Sequence, residues 1–208
     1  HDAYGLFTRI LIGEGADVKV SVLDETNQHT TRFSNLLVRQ DVNSRFTLNE
    51  LTLGSGQSRS TTDVLLAGGG AYVELNGAVI ADGSQLADHN IEVVHAVGGC
   101  QSDMLYKYVI GDSSVGAFAG KVLVRQDAQQ TISQQTNANL CTSDTARAFS
   151  QSMLEIYADD VKCNHGSTVG KLDEAALLYM RQRGIEENEA RLLLQHAFVN
   201  EVLERIDL

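Results

Sequence analysis

Short apolar runs alternate with polar and glycine-rich segments along the first three quarters of the chain. Val18, Val20 and Val22 alternate with polar residues in the segment DVKVSVLD, and similar runs recur about every eight to twelve residues up to about position 150. A period of two is typical of β-strands, and no segment between the runs has helical spacing. The pattern predicts a mainly β fold. It fits a sandwich or barrel, and also a β-helix with two or three strands in each coil.

Two features favour the β-helix. Some runs carry apolar residues at successive positions, such as Leu65 and Leu66, rather than in strict alternation. The segment from Arg125 to Thr145 is very rich in Gln, Asn, Thr and Ser. Such side chains form ladders between the coils of a β-helix, whereas a free segment of this composition is a disordered linker. We favour the ladder because Ile132 and Leu140 interrupt the tract.

The pattern becomes helical after Gly170. A first helix is predicted with Asp173 as its N-cap and Gly184 just beyond its end. A second helix is predicted from about Glu187 to Ile206. Its apolar residues form two stripes, which are Ala190, Leu194, Ala197 and Phe198, and Leu192, Val199, Leu203 and Ile206. The second stripe either packs on the first helix or is exposed as a docking surface for another protein.

Charge and composition exclude several classes of function. The net charge of −11 argues against nucleic acid and anionic membrane partners, which require a basic face. No apolar run is long enough for a transmembrane helix, and the first residues lack a secretion signal. Three distant cysteines do not form a disulfide framework, so we expect a cytoplasmic protein. The chain starts within strand-like sequence, and we expect it to be part of a longer protein.

Cys163 and His165 are the first candidates for chemistry. They are two residues apart in a segment that is predicted to be extended, so both side chains point to one face. Thiolate and imidazole suit iron–sulfur species, zinc or Cu(I), although a single strand supplies at most two ligands. The spacing alone also fits a structural cysteine beside a surface histidine.

Other reactive side chains have simpler explanations. We interpret Cys100 and Cys141 as small core residues. His89 and His95 lie six positions apart, so they share one strand face, where they either bind a metal or stack as polar residues near a turn. The sequence has no G-x-S-x-G, H-E-x-x-H or Walker A motif, and so it does not predict a hydrolase or a nucleotide enzyme.

One stretch resembles a known family. From about Ile91 to Ile206 the chain is similar to the carboxy-terminal half of the SufD family of iron–sulfur cluster assembly scaffolds. The segment LEIYADDVKCNHGSTVGKLDEAALLYMRQRGI carries most of the resemblance, supported by GAFAGKVLV and the Gln/Asn tract. The resemblance implies a right-handed parallel β-helix over residues 1–168 and a two-helix α region over residues 169–208. The family's amino-terminal helical region would be absent.

The resemblance also implies a function. The chain would be a non-catalytic scaffold subunit that pairs with a SufB paralogue and docks the SufC ATPase, with a possible homodimer when it is isolated. His165 and Cys163 would contribute ligands to a transient iron–sulfur cluster or iron at the SufB–SufD interface, and the isolated chain would hold no cofactor. The SufC dock would include Leu172, Leu177, Tyr179, Met180, Leu194, Phe198, Val199 and Leu203. The alternative is a carbohydrate-active β-helix protein, which requires a secretion signal and a cleft of clustered Asp, Arg and Lys.

Overall fold

The computed structural model describes residues 2–25, 27–54 and 56–206. Twelve β-strands are followed by two α-helices, α1 (Glu174–Gln182) and α2 (Glu187–Leu203). The strands are β1 (Asp2–Ile12), β2 (Asp17–Asp24), β3 (Thr30–Gln40), β4 (Arg45–Leu53), β5 (Gln57–Leu66), β6 (Tyr72–Ala81), β7 (Leu86–His95), β8 (Gln101–Ile110), β9 (Val115–Val124), β10 (Thr131–Cys141), β11 (Arg147–Ile156) and β12 (Val161–Lys171).

Successive strands alternate between two parallel sheets. The odd-numbered strands form sheet A in the order β1-β3-β5-β7-β9-β11, and the even-numbered strands form sheet B in the order β12-β10-β8-β6-β4-β2. Each coil therefore contributes one strand to each sheet, and the prediction of a parallel β-helix with a helical C-terminal region is confirmed. The sandwich and barrel interpretations are wrong, because each strand pairs with the strand two positions away rather than with its neighbour in sequence.

The strands are longer than the apolar runs that predicted them. They contain 8 to 11 residues, because polar residues that flank each run join the same backbone ladder. In a stack of coils, every backbone group of an inner strand finds a partner in the coil before and the coil after. The apolar runs therefore mark the middles of the strands and not their ends.

The polar tract is ordered, as the ladder interpretation predicted. Ser133, Gln135 and Asn137 of β10 are buried in the space between the two sheets, which we call the lumen. Ser102 Oγ donates to Ser133 Oγ over 2.8 Å, which links two coils, and Asn137 Nδ2 donates to the carbonyl oxygen of Tyr106 in the preceding coil. Amides and hydroxyls thus pair between coils, partly with one another and partly with backbone carbonyls.

Helix α1 begins and ends where the sequence predicts. The Asp173 carboxylate accepts from the backbone N–H groups of Ala175 and Ala176, which otherwise lack a partner at a helix N-terminus. Gly184 follows the C-cap residue with φ of 87°, a conformation that glycine adopts without a steric penalty.

Helix α2 covers part of the outer face of sheet B. Val202 is fully buried in a cluster with Ala78 and Leu105 of that face. Lys107 Nζ lies 2.7 Å from Glu201 Oε2, and Arg205 lies 3.0 Å from Asp103 Oδ2. The predicted second stripe of this helix is thus divided. Val199, Leu203 and Ile206 pack on sheet B and not on α1, whereas Leu192 is exposed.

Candidate functional site

In two rows of sheet B, the side chains that line the lumen change from apolar to polar along the β-helix. One row of paired residues in sheet B runs Val18, Phe46, Val73, Ser102, Ser133 and Cys163. The next row runs Val20, Leu48, Leu75, Met104, Gln135 and His165. Paired residues on neighbouring strands point to the same face, so the thiol and the imidazole face the lumen of the last coil.

The two candidate ligands lie at the open end of the lumen. They belong to β12, which pairs with β10 on one side and is the edge strand of sheet B among the described residues. His165 is exposed, because no further coil covers it within the part of the chain that the structure describes. Cys163 is half-buried, against a cluster that includes Val124 and Ala158. The sequence prediction that one strand face carries both groups agrees with this geometry.

Burial sets the protonation state of the thiol. Desolvation raises the pKa of Cys163 above its ordinary value, and a backbone hydrogen bond from Ser133 opposes the shift. The group is therefore a neutral thiol near pH 7. A thiol binds metal as thiolate, so binding of a metal here would release a proton.

A hydrogen-bonded row of hydroxyls leads through the lumen towards Cys163. His95 Nε2 lies 2.9 Å from Ser102 Oγ, which donates to Ser133 Oγ, and Ser133 is the register partner of Cys163. The His95 side chain is fully buried, and desolvation lowers its pKa to about 4, so the imidazole is neutral.

A second chain of polar side chains crosses the open end of the lumen beside His165. Ser167 Oγ donates to Ser150 Oγ over 2.7 Å, and Ser150 Oγ donates to Asn137 Oδ1 over 2.6 Å. These bonds join the last strand of each sheet across the open end. Sequence reasoning did not identify Ser150 or Ser167 as part of the site, and the signal that was present was the alternation of polar residues in β11 and β12.

The chain itself supplies too few ligands for a closed metal site. Within the described residues, no group of three or more His, Cys, Asp or Glu side chains is placed to hold a metal ion. One soft thiol and one imidazole fit two positions of an iron or iron–sulfur species, and the other positions would need ligands from outside the chain.

The remaining candidates belong to the interior. Cys100 and Cys141 are buried, in agreement with the core interpretation. His89 is also buried, with its Nδ1 2.8 Å from the Tyr108 hydroxyl, while His95 bonds to Ser102 at the other end of β7. The two histidines share a face but have separate partners, so the structure favours their interpretation as core polar residues.

The apolar residues that were predicted to dock a partner mostly pack within the chain. Leu172, Leu177 and Val199 are buried, so a second protein cannot reach them without moving a helix. Met180, Leu194, Phe198 and Leu203 are half-buried, and Tyr179 is 57% exposed. The large exposed apolar side chains of the helices are Leu178, Tyr179, Leu192 and Leu193, of which Tyr179 was predicted as part of the dock and the other three were not. Helical spacing alone did not separate the two groups, because α2 packs on a sheet face that the sequence pattern did not define.

A groove on the outer face of sheet A was not predicted. It is lined by alternating leucines and charged residues, among them Arg9, Arg39, Asp63 and Glu92. Burial, and secondly the charge of Glu92, raise the pKa of Asp63. The groove therefore matches only in part the cleft of clustered Asp, Arg and Lys that a carbohydrate-active β-helix requires. It lies on the opposite sheet from Cys163 and His165.

Comparison with known proteins gives one consistent result. The family described as "SUF system FeS cluster assembly, SufBD core domain" matches residues 3–198. The chain is 33% identical over 178 residues to the iron–sulfur cluster assembly protein SufD of Escherichia coli, which covers 86% of this chain and 42% of that protein. It is 32% identical over 205 residues to an iron–sulfur cluster assembly SufBD family protein of Synechocystis, covering 98% of this chain and 45% of the relative. For SufD of Bacillus subtilis the identity is 24% over 208 residues, with 99% and 47% covered. The chain thus spans less than half the length of each of these relatives.

Proposed function

The chain belongs to the SUF system iron–sulfur cluster assembly family that shares the SufBD core domain, and from this we propose that it is a non-catalytic scaffold subunit on which a cluster is assembled. The cluster is the cargo of this function. One observation carries the proposal: Cys163 and His165 are placed side by side at the open end of a polar lumen, where a second chain can complete the ligand set. We expect the protein to act in the cytoplasm.

The exposed edges of β11 and β12 support pairing with a SufB-like paralogue. Strand β12 is 11 residues long, contains no proline and has no neighbouring strand on its outer edge among the described residues. Such an edge is a template for strand addition by another chain. The partner's strands would extend both sheets and would cover His165. In the absence of that partner, a second copy of this chain can use the same edges, which gives a homodimer.

The exposed apolar surface of the two helices supports docking of a SufC-like ATPase. Leu192 is 66% exposed and Leu193 46% exposed, and both line a groove with Ile80 of sheet B whose surface is almost entirely apolar. An apolar groove on an otherwise acidic chain is typical of a protein interface. The sequence has no nucleotide-binding motif, so the ATPase would supply the energy for assembly.

The site is tested by changing the two proposed ligands in the complete protein, reconstituted with a SufB-like and a SufC-like partner. His165→Ala is expected to reduce the iron and acid-labile sulfide bound per complex by about tenfold, because loss of one ligand weakens a shared site. The control is Val169→Ala, which changes an exposed residue on the same face of β12 and is expected to leave the yield of iron and sulfide unchanged. An unchanged yield in His165→Ala would remove this residue from the site.

The partners are tested by co-purification. The complete protein is expected to retain both partners. Leu192→Glu is expected to weaken retention of the ATPase only, because the ATPase would bind the helices on the outer face of sheet B, whereas the SufB-like partner would bind the edge strand β12. Retention of neither partner by the unchanged protein would contradict the assembly function.

A further inference from the structure

Gln135 extends across the lumen and is held there by Gly120. Its side chain starts in sheet B, and its Nε2 donates to the carbonyl oxygen of Gly120 in sheet A over 3.2 Å. A Cβ atom at Gly120 would lie 2.5 Å from that nitrogen, so a side chain at this position would displace the amide group from its present place. Gln135 is completely buried.

The other end of this amide lacks a partner. Because the NH₂ group faces the Gly120 carbonyl, the amide oxygen is directed away from it, and Gln135 Oε1 has no hydrogen-bond partner among the described residues. A buried polar atom without a partner is costly, and it is uncommon unless a ligand or a mobile group completes it.

The register shows which donors are near. On the side of the preceding coil, the neighbours of Gln135 and Gly120 are Met104 and Ile91, which have no strong donor. On the side of the last coil, the neighbours are His165 beside Gln135, and Ser152 beside Gly120. The Ser152 hydroxyl is also buried without a partner. Two polar groups without a partner among the described residues therefore lie next to the last coil, one on the register partner of His165 and one on Ser152 in the opposite sheet.

A metal-binding histidine requires such an acceptor. Imidazole binds a metal through one nitrogen, and the hydrogen bond made by the other N–H fixes the tautomer and the ring orientation. In the chain alone the ring of His165 is exposed. When a partner chain covers the open end, the amide oxygen of Gln135, the register partner of His165, is an acceptor that is still available to this second nitrogen.

We propose that Gln135 is a positioning residue whose buried amide oxygen accepts the N–H of His165 and so orients that imidazole towards iron. This inference rests on the proposed function, because it assumes that His165 binds the metal. Gly120 maintains the amide in place, and the Ser152 hydroxyl supplies a second polar contact on the opposite wall.

The first test measures the affinity of the complete complex for Fe²⁺ alone. Gln135→Met, which keeps the length of the side chain and removes the amide, is expected to lower the affinity by about 10- to 100-fold. Gln135→Glu keeps an acceptor oxygen at this position, so its affinity for Fe²⁺ is expected to be close to that of the unchanged protein and well above that of Gln135→Met. Equal affinity for unchanged protein and Gln135→Met would overturn the inference.

Asn139→Leu is the matched control. Asn139 is another buried amide of β10 with an unpartnered oxygen, but its register partner is Val169 and not His165. This change is expected to leave the affinity for Fe²⁺ unaltered. A loss equal to that of Gln135→Met would mean that any buried amide of β10 has the same effect, and the inference would fail.

A second measurement does not depend on the variants. With Zn²⁺ as a diamagnetic substitute, nitrogen NMR of the histidines in the unchanged complex is expected to show one tautomer of His165 with a slowly exchanging ring N–H. Rapid exchange of that proton with solvent would overturn the inference. If His165→Ala fails to lower iron binding, the proposed function has failed. If it lowers iron binding while Gln135→Met does not, the inference alone has failed.

Discussion

Tyr106 lies across Gly77 and donates a 2.6 Å hydrogen bond to Oε2 of Glu50, two coils away along the lumen. All three residues belong to one row of sheet B, and Gly77 is the position between the two side chains. Glu50 is 6% exposed and also accepts from Ser60 Oγ. The shorter of the two hydrogen bonds to this buried carboxylate therefore forms only because the middle residue of the row has no side chain.

Gly77→Ala is expected to destabilise the fold by roughly 2 to 4 kcal/mol, since its methyl group would overlap the Tyr106 ring and displace the hydroxyl from Glu50. Chemical denaturation of both proteins measures the difference. Gly5→Ala, in a strand where a Cβ atom would meet nothing within 4 Å, is the control and is expected to change stability by less than about 0.5 kcal/mol. Similar values for the two variants would contradict the packing argument.

Tyr106→Phe removes only the hydroxyl and leaves the buried carboxylate of Glu50 without its shortest hydrogen bond. We expect a loss of about 1 to 3 kcal/mol in the free energy of unfolding. Tyr157→Phe removes a comparable hydrogen bond to Glu155 at an exposed position, and a loss below about 1 kcal/mol is expected there. A larger loss for Tyr157 than for Tyr106 would show that burial does not determine the cost.

His95 is expected to make the protein less stable in mild acid. Burial lowers its pKa from 6.5 to about 4 in the folded state. Between these two pH values the unfolded chain binds a proton that the folded chain does not, so the free energy of unfolding falls as the pH decreases through this window. Its contribution is complete above pH 6.5 and is reduced by about 3 kcal/mol near pH 4.

His95→Gln separates this contribution from that of other groups. The amide can still bond to Ser102 and does not titrate, so the loss of stability between pH 7 and pH 4.5 is expected to be smaller than in the unchanged protein. Denaturation at both pH values measures it. His196→Gln, at an exposed histidine of α2, is the control and should reproduce the pH dependence of the unchanged protein.

Val202→Ala is expected to loosen α2 from sheet B. The side chain is fully buried against Ala78 and Leu105, and removal of two methyl groups there costs about 1 to 3 kcal/mol. Hydrogen exchange of the α2 amides should accelerate, while that of β6 and β8 changes little. Leu192→Ala, at a 66% exposed position of the same helix, is expected to leave exchange unchanged. Equally faster hydrogen exchange in both variants would indicate that helix propensity, and not packing on sheet B, stabilises α2.

Much of the fold was predictable because its signals are local. Alternation in segments such as Val18 to Val22 marked the strands, and Asp173 and Gly184 marked the ends of α1. The placement of Cys163 and His165 on one face of a strand followed from the two-residue period of a strand. These inferences need only the nearest neighbours in sequence.

The rest depends on contacts between distant residues. Gln135 looked like part of a polar ladder, and only its hydrogen bond to Gly120 and its register with His165 show that its amide oxygen is left without a partner beside the site. Similarly, Val199 and Leu192 have the same apolar character on one helix, and only the position of sheet B buries the first and exposes the second. A pattern within one element does not define which face its neighbour will cover.

The change from apolar to polar side chains in two rows of sheet B implies a gradient of local stability along this wall of the β-helix. Where Phe46, Leu48 and Leu75 fill the interior, opening a coil exposes large apolar surfaces. In the last coil, the corresponding positions hold the Cys163 thiol and the His165 imidazole, which lose less free energy than large apolar side chains when water reaches them. In a stacked array the terminal unit opens first when its interface is weak. The end that carries the two proposed ligands is thus also the end that is easiest to remodel, so under the proposed function closure around a cluster and its later release would require little change in the rest of the β-helix.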